Sequence, residues 1–129
     1  MKNWITAAAV IVAGLATAAG PAAAQSGEAA KGQRVFNTQC KSCHTMEKDG
    51  AQVTGPNLHG LFGRKAGTSA GYAYSEPMKN SGIVWDDTTL ADYNRDPKGK
   101  VPGTKMLYNG VKNAGQLADL VAYLKEATK

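Results

Sequence analysis

The sequence predicts an all-α fold: a few helices joined by long ordered loops, wrapped around a large apolar group that the chain does not itself supply. Three observations carry that expectation. Leu117, Leu120, Val121 and Leu124 recur at the i, i+3, i+4, i+7 spacing of one helix face. No segment alternates apolar and polar residues as a half-buried strand does. Residues 45–73 hold Gly50, Gly55, Pro56, Gly60, Gly63, Gly67 and Gly71 with no sustained period. A loop of that length is unusual in a compact domain unless it wraps something or is functional. Large aliphatic residues are also scarce there, and a domain this small buries only a modest core by itself.

Taken in order, the first element is an export signal over 1–24. Lys2 supplies a positive start, an apolar run follows from Ile5 to Ala19, Pro21 breaks it, and Ala22-Ala23-Ala24 offers a small-residue cleavage pattern. Cleavage is placed after Ala24, leaving a single domain over 25–129. The competing reading is a retained membrane anchor; the Ala-rich run and the AAA pattern favour removal. A helix is then expected from Ser26 to about Gln39, with Ser26 as cap and Glu28 in the first turn. The loop from Thr45 to Ala73 follows, then a short helix near Ser75–Asn80. Asp86 or Asp87 caps a helix to about Arg95 that Pro97 ends. Residues 98–108 read as irregular. The last helix opens on the Asn113-x-x-Gln116 pair of a capping box.

The chain carries a net charge of +5, and loss of Lys2 with the signal leaves +4. Lys and Arg do not run together with interleaved aromatics, so nucleic acid is excluded as a partner class. A basic exported protein fits an acidic protein surface better.

The only two cysteines lie in Cys40-Lys41-Ser42-Cys43-His44. Four readings compete. A Cys40–Cys43 disulfide closes a very short loop and adds little stability. A thioredoxin-like pair belongs after a strand in a βαβ unit, which is absent from the pattern. A tetrahedral zinc site needs four ligands, and Cys40, Cys43, His44 and His59 supply that number, though adjacent Cys43 and His44 pack awkwardly on one ion. In the fourth reading, two thiols spaced C-x-x-C form thioethers with the vinyl groups of a haem, and the adjacent His44 ligates its iron. Export favours this last reading. A haem is also the large apolar group that a core-poor, loop-rich chain needs. The candidates for its second axial position are His59, Met46, Met78 and Met106. Met46 is too close to His44 to reach round, His59 reads better as a structural residue of its loop, and Met78 as a wall residue. Met106 sits in Pro102-Gly103-Thr104-Lys105-Met106, an irregular segment able to approach the ring from the other side.

Over essentially the whole domain the chain resembles class I c-type cytochromes, the short soluble cytochromes c of mitochondria and of bacterial photosynthetic and respiratory chains. The likeness rests on Gly32-x-x-x-Phe36, Cys40-x-x-Cys43-His44, residues 55–64 (GPNLHGLFGR), Trp85, Tyr93, residues 102–106 (PGTKM) and residues 119–125 (DLVAYLK). The resemblance implies the cytochrome c fold with one covalently bound haem c. It implies Cys40 and Cys43 on the vinyl carbons, His44 as proximal ligand and Met106 as distal ligand, with iron held between them. Pro56 would supply the carbonyl that fixes the other ring nitrogen of His44. Tyr93 would lie near the Met106 sulfur, and Arg64, Tyr74, Trp85 and Thr104 would surround the propionates. Gly32 would let the first helix cross the last near Tyr123. There are departures. Met78 stands where relatives often have asparagine, Asn94 where they have leucine, and Leu117 where they have arginine. Gln39, Val53, Gly99 and Asn113 stand where lysines often ring the exposed haem edge; Arg34, Lys98, Lys105 and Lys112 remain.

The function expected is therefore a soluble periplasmic one-electron carrier, not an enzyme, shuttling electrons between membrane redox complexes. Its expected partners carry acidic docking surfaces: a reaction centre, an oxidase, a quinol-oxidising complex or a dehydrogenase. The chain is expected to be monomeric and, once the signal is removed, not inserted in the membrane. The rival readings are a haem peroxidase or small-ligand sensor with an open sixth site, a zinc-bound structural module, and a cytochrome subunit of a larger enzyme.

Overall fold

A computed structural model describes residues 26–129. The proposed signal over 1–24 and its cleavage after Ala24 lie outside the described residues. Five helices follow in chain order: α1 Ala29–Gln39, α2 Glu76–Lys79, α3 Asp87–Arg95, α4 Pro97–Lys100 and α5 Ala114–Ala127. Pairing of extended segments among the described residues is limited to one antiparallel bridge between Lys65 and Val84.

The frame is the crossing of α1 over α5. A Cβ on Gly32 would overlap the Asp119 carbonyl and lie 2.7 Å from the Cβ of Tyr123. Only glycine lets the two backbones approach this closely. One turn further on, Phe36 and Tyr123 meet with ring centroids 5.6 Å apart and planes at 51°, a tilted contact of the kind aromatic pairs prefer. Leu117, Leu120, Val121 and Leu124 are all buried, as the period predicted. Burying each such side chain contributes about 1.5–3 kcal/mol. The ion pair that links α5 to α3, Lys125 to Asp87 at 2.8 Å, has both side chains more than half exposed, so water screens it. Apolar burial, not charge, holds the frame.

The helix ends show where local reading fails. α1 starts at Ala29, not Ser26, and its N-cap residue Glu28 is extended, with φ −100° and ψ 112°. No side chain caps α1; instead the Glu28 N–H donates to Asp119 Oδ1 of α5 at 2.7 Å, which holds the extended residue before the helix. Ser75 caps α2. Asp86 caps α3 through a reciprocal pair with Thr89: the Thr89 N–H donates to the Asp86 carboxylate at 2.8 Å, and the Asp86 N–H to Thr89 Oγ1 at 2.9 Å. Pro97 does follow the end of α3, but it also opens α4 as the first residue of a helical turn, and the Asp96 carboxylate accepts from the Gly99 N–H. Residues 98–100 are thus helical where the sequence reads as irregular. Asn113 caps α5 by accepting from the Gln116 N–H at 2.9 Å.

Two apolar clusters result. The first gathers Leu61, Ala66, Met78, Trp85, Leu90, Tyr93, Val101 and Val121. The second gathers Val35, Phe36, Cys40, Val111, Leu117, Leu120 and Leu124. Leu58, Phe62 and Ala91 pack against both. The loops are tied to this frame by the backbone: the Gly60 N–H donates to the Thr128 carbonyl at 2.6 Å, and the Gly63 N–H to the Trp85 carbonyl at 2.8 Å.

Candidate functional site: a cavity between two clusters

A cavity of about 330 Å³ receives residues from both clusters. Cys40, Cys43, His44, Pro56, Arg64, Tyr74, Trp85, Tyr93, Thr104 and Met106 all line it. His59 does not, and Met46 packs against the second cluster instead.

The near wall grows from the end of α1. The chain turns once more after Gln39, with the Cys43 N–H donating to the Cys40 carbonyl at 3.0 Å and the His44 N–H at 3.1 Å. That turn presents the two thiols and the imidazole to one space. Burial pushes the Cys40 thiol up to about 11, with the neighbouring Cys43 adding to the effect. A redox-active C-x-x-C pair needs the opposite shift. Nor do three or more His, Cys, Asp or Glu side chains converge as a metal cluster among the described residues. Thiol exchange and zinc both fit this motif poorly.

His44 Nδ1 lies 2.8 Å from the Pro56 carbonyl oxygen. A carbonyl only accepts, so Nδ1 carries the hydrogen and Nε2 keeps its lone pair. Burial holds the His44 pKa below its usual range, against the smaller upward pull of the Pro56 bond. The ring is therefore neutral and oriented, as a metal-ligating imidazole must be. Gly55 makes room for it: a Cβ there would lie 2.5 Å from the His44 ring carbon Cε1 and 2.8 Å from Nδ1. The Gly55 N–H also donates to the Cys43 carbonyl at 2.7 Å, pinning the loop to the turn.

Met106 is half-buried against the first cluster. Its N–H donates to Thr104 Oγ1 at 3.3 Å, and the Tyr93 hydroxyl lies 2.7 Å from the same oxygen. Tyr93 therefore holds the Met106 segment through Thr104. Arg64 is half-buried; it donates from Nη1 to the His59 carbonyl at 3.0 Å and from Nη2 to the Asn57 carbonyl at 3.2 Å. His59 thus serves the loop through its backbone. Trp85 meets Tyr93 in a tilted contact, 5.3 Å between centroids with planes at 52°. Tyr74 accepts from the Ser69 N–H at 3.2 Å.

Tyr72 and Tyr108 line the cavity without having been singled out in the sequence, and Asn94 and Gln39, noted there only as departures from relatives, line it too. Tyr72 meets Tyr74 edge-on at 4.8 Å and donates to the Thr54 carbonyl at 3.0 Å. Its signal was its place two residues before Tyr74 in an otherwise Gly- and Ala-rich loop. Asn94 puts a buried amide on the wall, its Nδ2 donating to the Leu90 carbonyl at 2.9 Å. The i, i+4 spacing from Leu90 gave that position away. Tyr108 and Gln39, hydrogen-bonded to each other, both line the cavity; nothing local marks that pairing.

The donor set fits a covalently attached haem. Two thiols, a neutral imidazole with a free nitrogen and a thioether converge on one cavity whose walls are otherwise mainly aliphatic and aromatic, and Gly55 leaves the imidazole its room.

Comparison with known proteins agrees. The family model for cytochrome c matches residues 29–128. Cytochrome c of Nigella damascena is 49% identical over 105 residues, covering 81% of this chain and 95% of that one. Cytochrome c of Gibberella zeae is 50% identical over 103 residues, 80% and 97% of the two chains. For that of Chlamydomonas reinhardtii the identity is 48% over 107 residues, 83% and 96%. With a family model spanning nearly the whole described domain and relatives at this identity, the chain belongs to the cytochrome c family of all-α electron carriers, proteins that bear a covalently attached haem c, act with redox partners and are not enzymes.

Proposed function

We propose that this chain is an exported, periplasmic carrier that moves single electrons between membrane redox complexes, with Cys40 and Cys43 holding the haem and His44 and Met106 ligating its iron. The observation that carries this reading is the His44–Pro56 bond at 2.8 Å, in a cavity that Met106 also lines. The haem supplies reversible one-electron exchange at iron. The chain's own residues do the rest. His44 and Met106 would hold the iron between them and leave a substrate no access to it. Met106 is a weak donor to the ferric ion and favours the reduced state. Arg64, Tyr74, Trp85 and Thr104, which line the cavity, would surround the propionates.

The export reading draws support from the apolar run of 5–19, which lies outside the family match. No helix among the described residues is long and apolar enough to cross a membrane. The experiment that tests the whole reading is an optical spectrum of the purified periplasmic protein, oxidised and then reduced. Sharp reduced bands and a far-red band from Met sulfur on ferric haem are expected. A haem spectrum lacking that band, with exogenous ligands binding readily, would remove Met106 as ligand.

Partner choice follows from the rim. Arg34 and Lys98 are exposed. Lys105 and Lys112 donate to the Ala73 and Arg95 carbonyls at 2.8 and 2.6 Å. This set steers a monomeric carrier towards an acidic docking face, but more weakly than a full lysine ring. Such short-lived interfaces are steered by charge, worth 10–10³-fold in association rate. The rate of reduction by an acidic partner should fall by less than about tenfold between low and physiological salt, at the bottom of that range. A fall of a hundredfold in stopped-flow measurements would refute the weakened rim.

Potential should respond to residue 78. Met78 is 7% exposed and lines the cavity. A thioether there makes the pocket less polar than an amide does, which disfavours ferric charge and sets the potential on the high side. Asn94 acts in the opposite sense from α3. Met78→Asn should lower the midpoint potential by about 40 mV, the equivalent of about 1 kcal/mol for one electron. Redox titration giving no change, or a rise, would refute the assignment.

A further inference from the structure

Residues 104–111 form the segment that carries Met106, and its two ends are both moored to α3. Upstream, Thr104 Oγ1 meets the Tyr93 hydroxyl at 2.7 Å. Downstream, the Val111 N–H donates to the Asn94 carbonyl at 2.8 Å. Two outward ties leave its middle among the described residues. Lys105 Nζ donates to the Ala73 carbonyl. The Tyr108 hydroxyl donates to Gln39 Oε1, across a sequence separation of 69 residues. Only the second reaches α1, the helix that leads into the Cys40–His44 turn.

We infer that the Tyr108–Gln39 hydrogen bond is a latch across the cavity rim, making Tyr108 a positioning residue that keeps Met106 on the iron. This rests on the reading of Met106 as ligand given above. Three observations carry it. Both residues line the cavity, and Gln39 is exposed, which places the bond at the edge rather than in the core. The Tyr108 N–H donates to the Met106 carbonyl at 3.0 Å, so the two residues are locked in one tight turn. In this latch, displacement of Met106 carries that turn away from the cavity, and Tyr108 with it. The phenol ring itself packs against the second cluster, so its hydroxyl can be removed without unpacking the ring. The bond therefore contributes in the closed state and is lost in the open one. That difference biases the equilibrium towards closure, as any contact made in only one of two states must.

The test is imidazole titration of the ferric holoprotein, followed by loss of the far-red band, together with chemical unfolding of each variant. Tyr108→Phe should bind imidazole about fivefold more tightly than the unaltered protein, the fold-change that one exchanged neutral hydrogen bond produces. Gln39→Leu should give the same gain, and the double variant no more than either alone, because both remove one bond. Unchanged imidazole affinity in Tyr108→Phe, with or without a change in unfolding, overturns the latch; so do effects of the two substitutions that simply add. An unaltered protein without the far-red band overturns the Met106 reading, and the latch with it.

Discussion

Met106→Ala should abolish the far-red ferric band and lower the midpoint potential by roughly 0.1–0.3 V, part of the roughly 0.8 V that axial ligation spans. As ligand, the thioether would stabilise ferrous over ferric iron, so its removal would let the ferric state gain relative to the ferrous one. The same change opens a coordination position. Imidazole should then bind without competition, and weak peroxidase activity should appear where the unaltered carrier has none. The fold should survive. Met106 is only half-buried, and its segment remains tied through Thr104 and Val111. Optical redox titration separates the outcomes. A variant that kept both band and potential would hand the sixth position to another residue and end the account of Met106 as ligand.

Gly32→Ala, a change of one methyl group, should cost about 3 kcal/mol and lower Tm by about 15 °C. The added Cβ would overlap the Asp119 carbonyl, which is backbone and has no rotamer to turn aside. Relief requires α1 to move off α5, and that movement unpacks Phe36 from Tyr123 and opens the second cluster. A native domain has only about 5–15 kcal/mol in hand, so the loss is a large fraction of the whole. Thermal unfolding of the holoprotein reads it directly. A shift of under 3 °C would mean the crossing is looser than its geometry indicates.

These two residues also show what was legible beforehand. α5 could be read from periodicity because its stripe of leucines faces one cluster along its whole length. α3 could be read from Asp86 because a cap is local. Cys40, Cys43 and His44 announced their chemistry by adjacency. Met106 could be singled out among the candidate sixth ligands only because its segment is irregular and distant from His44, and the ordered resemblance to cytochromes c turned that preference into an assignment. The contacts that spacing did not show share one cause. The residue before α1, Glu28, is held by Asp119, 91 residues further on. Arg64 is turned inward by the carbonyls of Asn57 and His59, and a basic side chain does not announce which carbonyls it will find. The Tyr108–Gln39 pair spans the fold. Contacts made across the chain are invisible to spacing, and this domain, built of loops, depends on them unusually.

Because α1 and α5 close on one another, residues 40–113 form a loop tethered at both ends. The entropy of that closure grows only with the logarithm of loop length, so the long glycine-rich wrap adds little to its cost. Within such a tether, opening is hierarchical. The Met106 segment can part from the cavity while the helix pair stays shut, a local event well short of unfolding. Two separate stabilities are therefore expected, one for the closure and one for the segment that carries Met106. Substitutions in the segment can alter how readily the metal is exposed without altering whether the protein is folded.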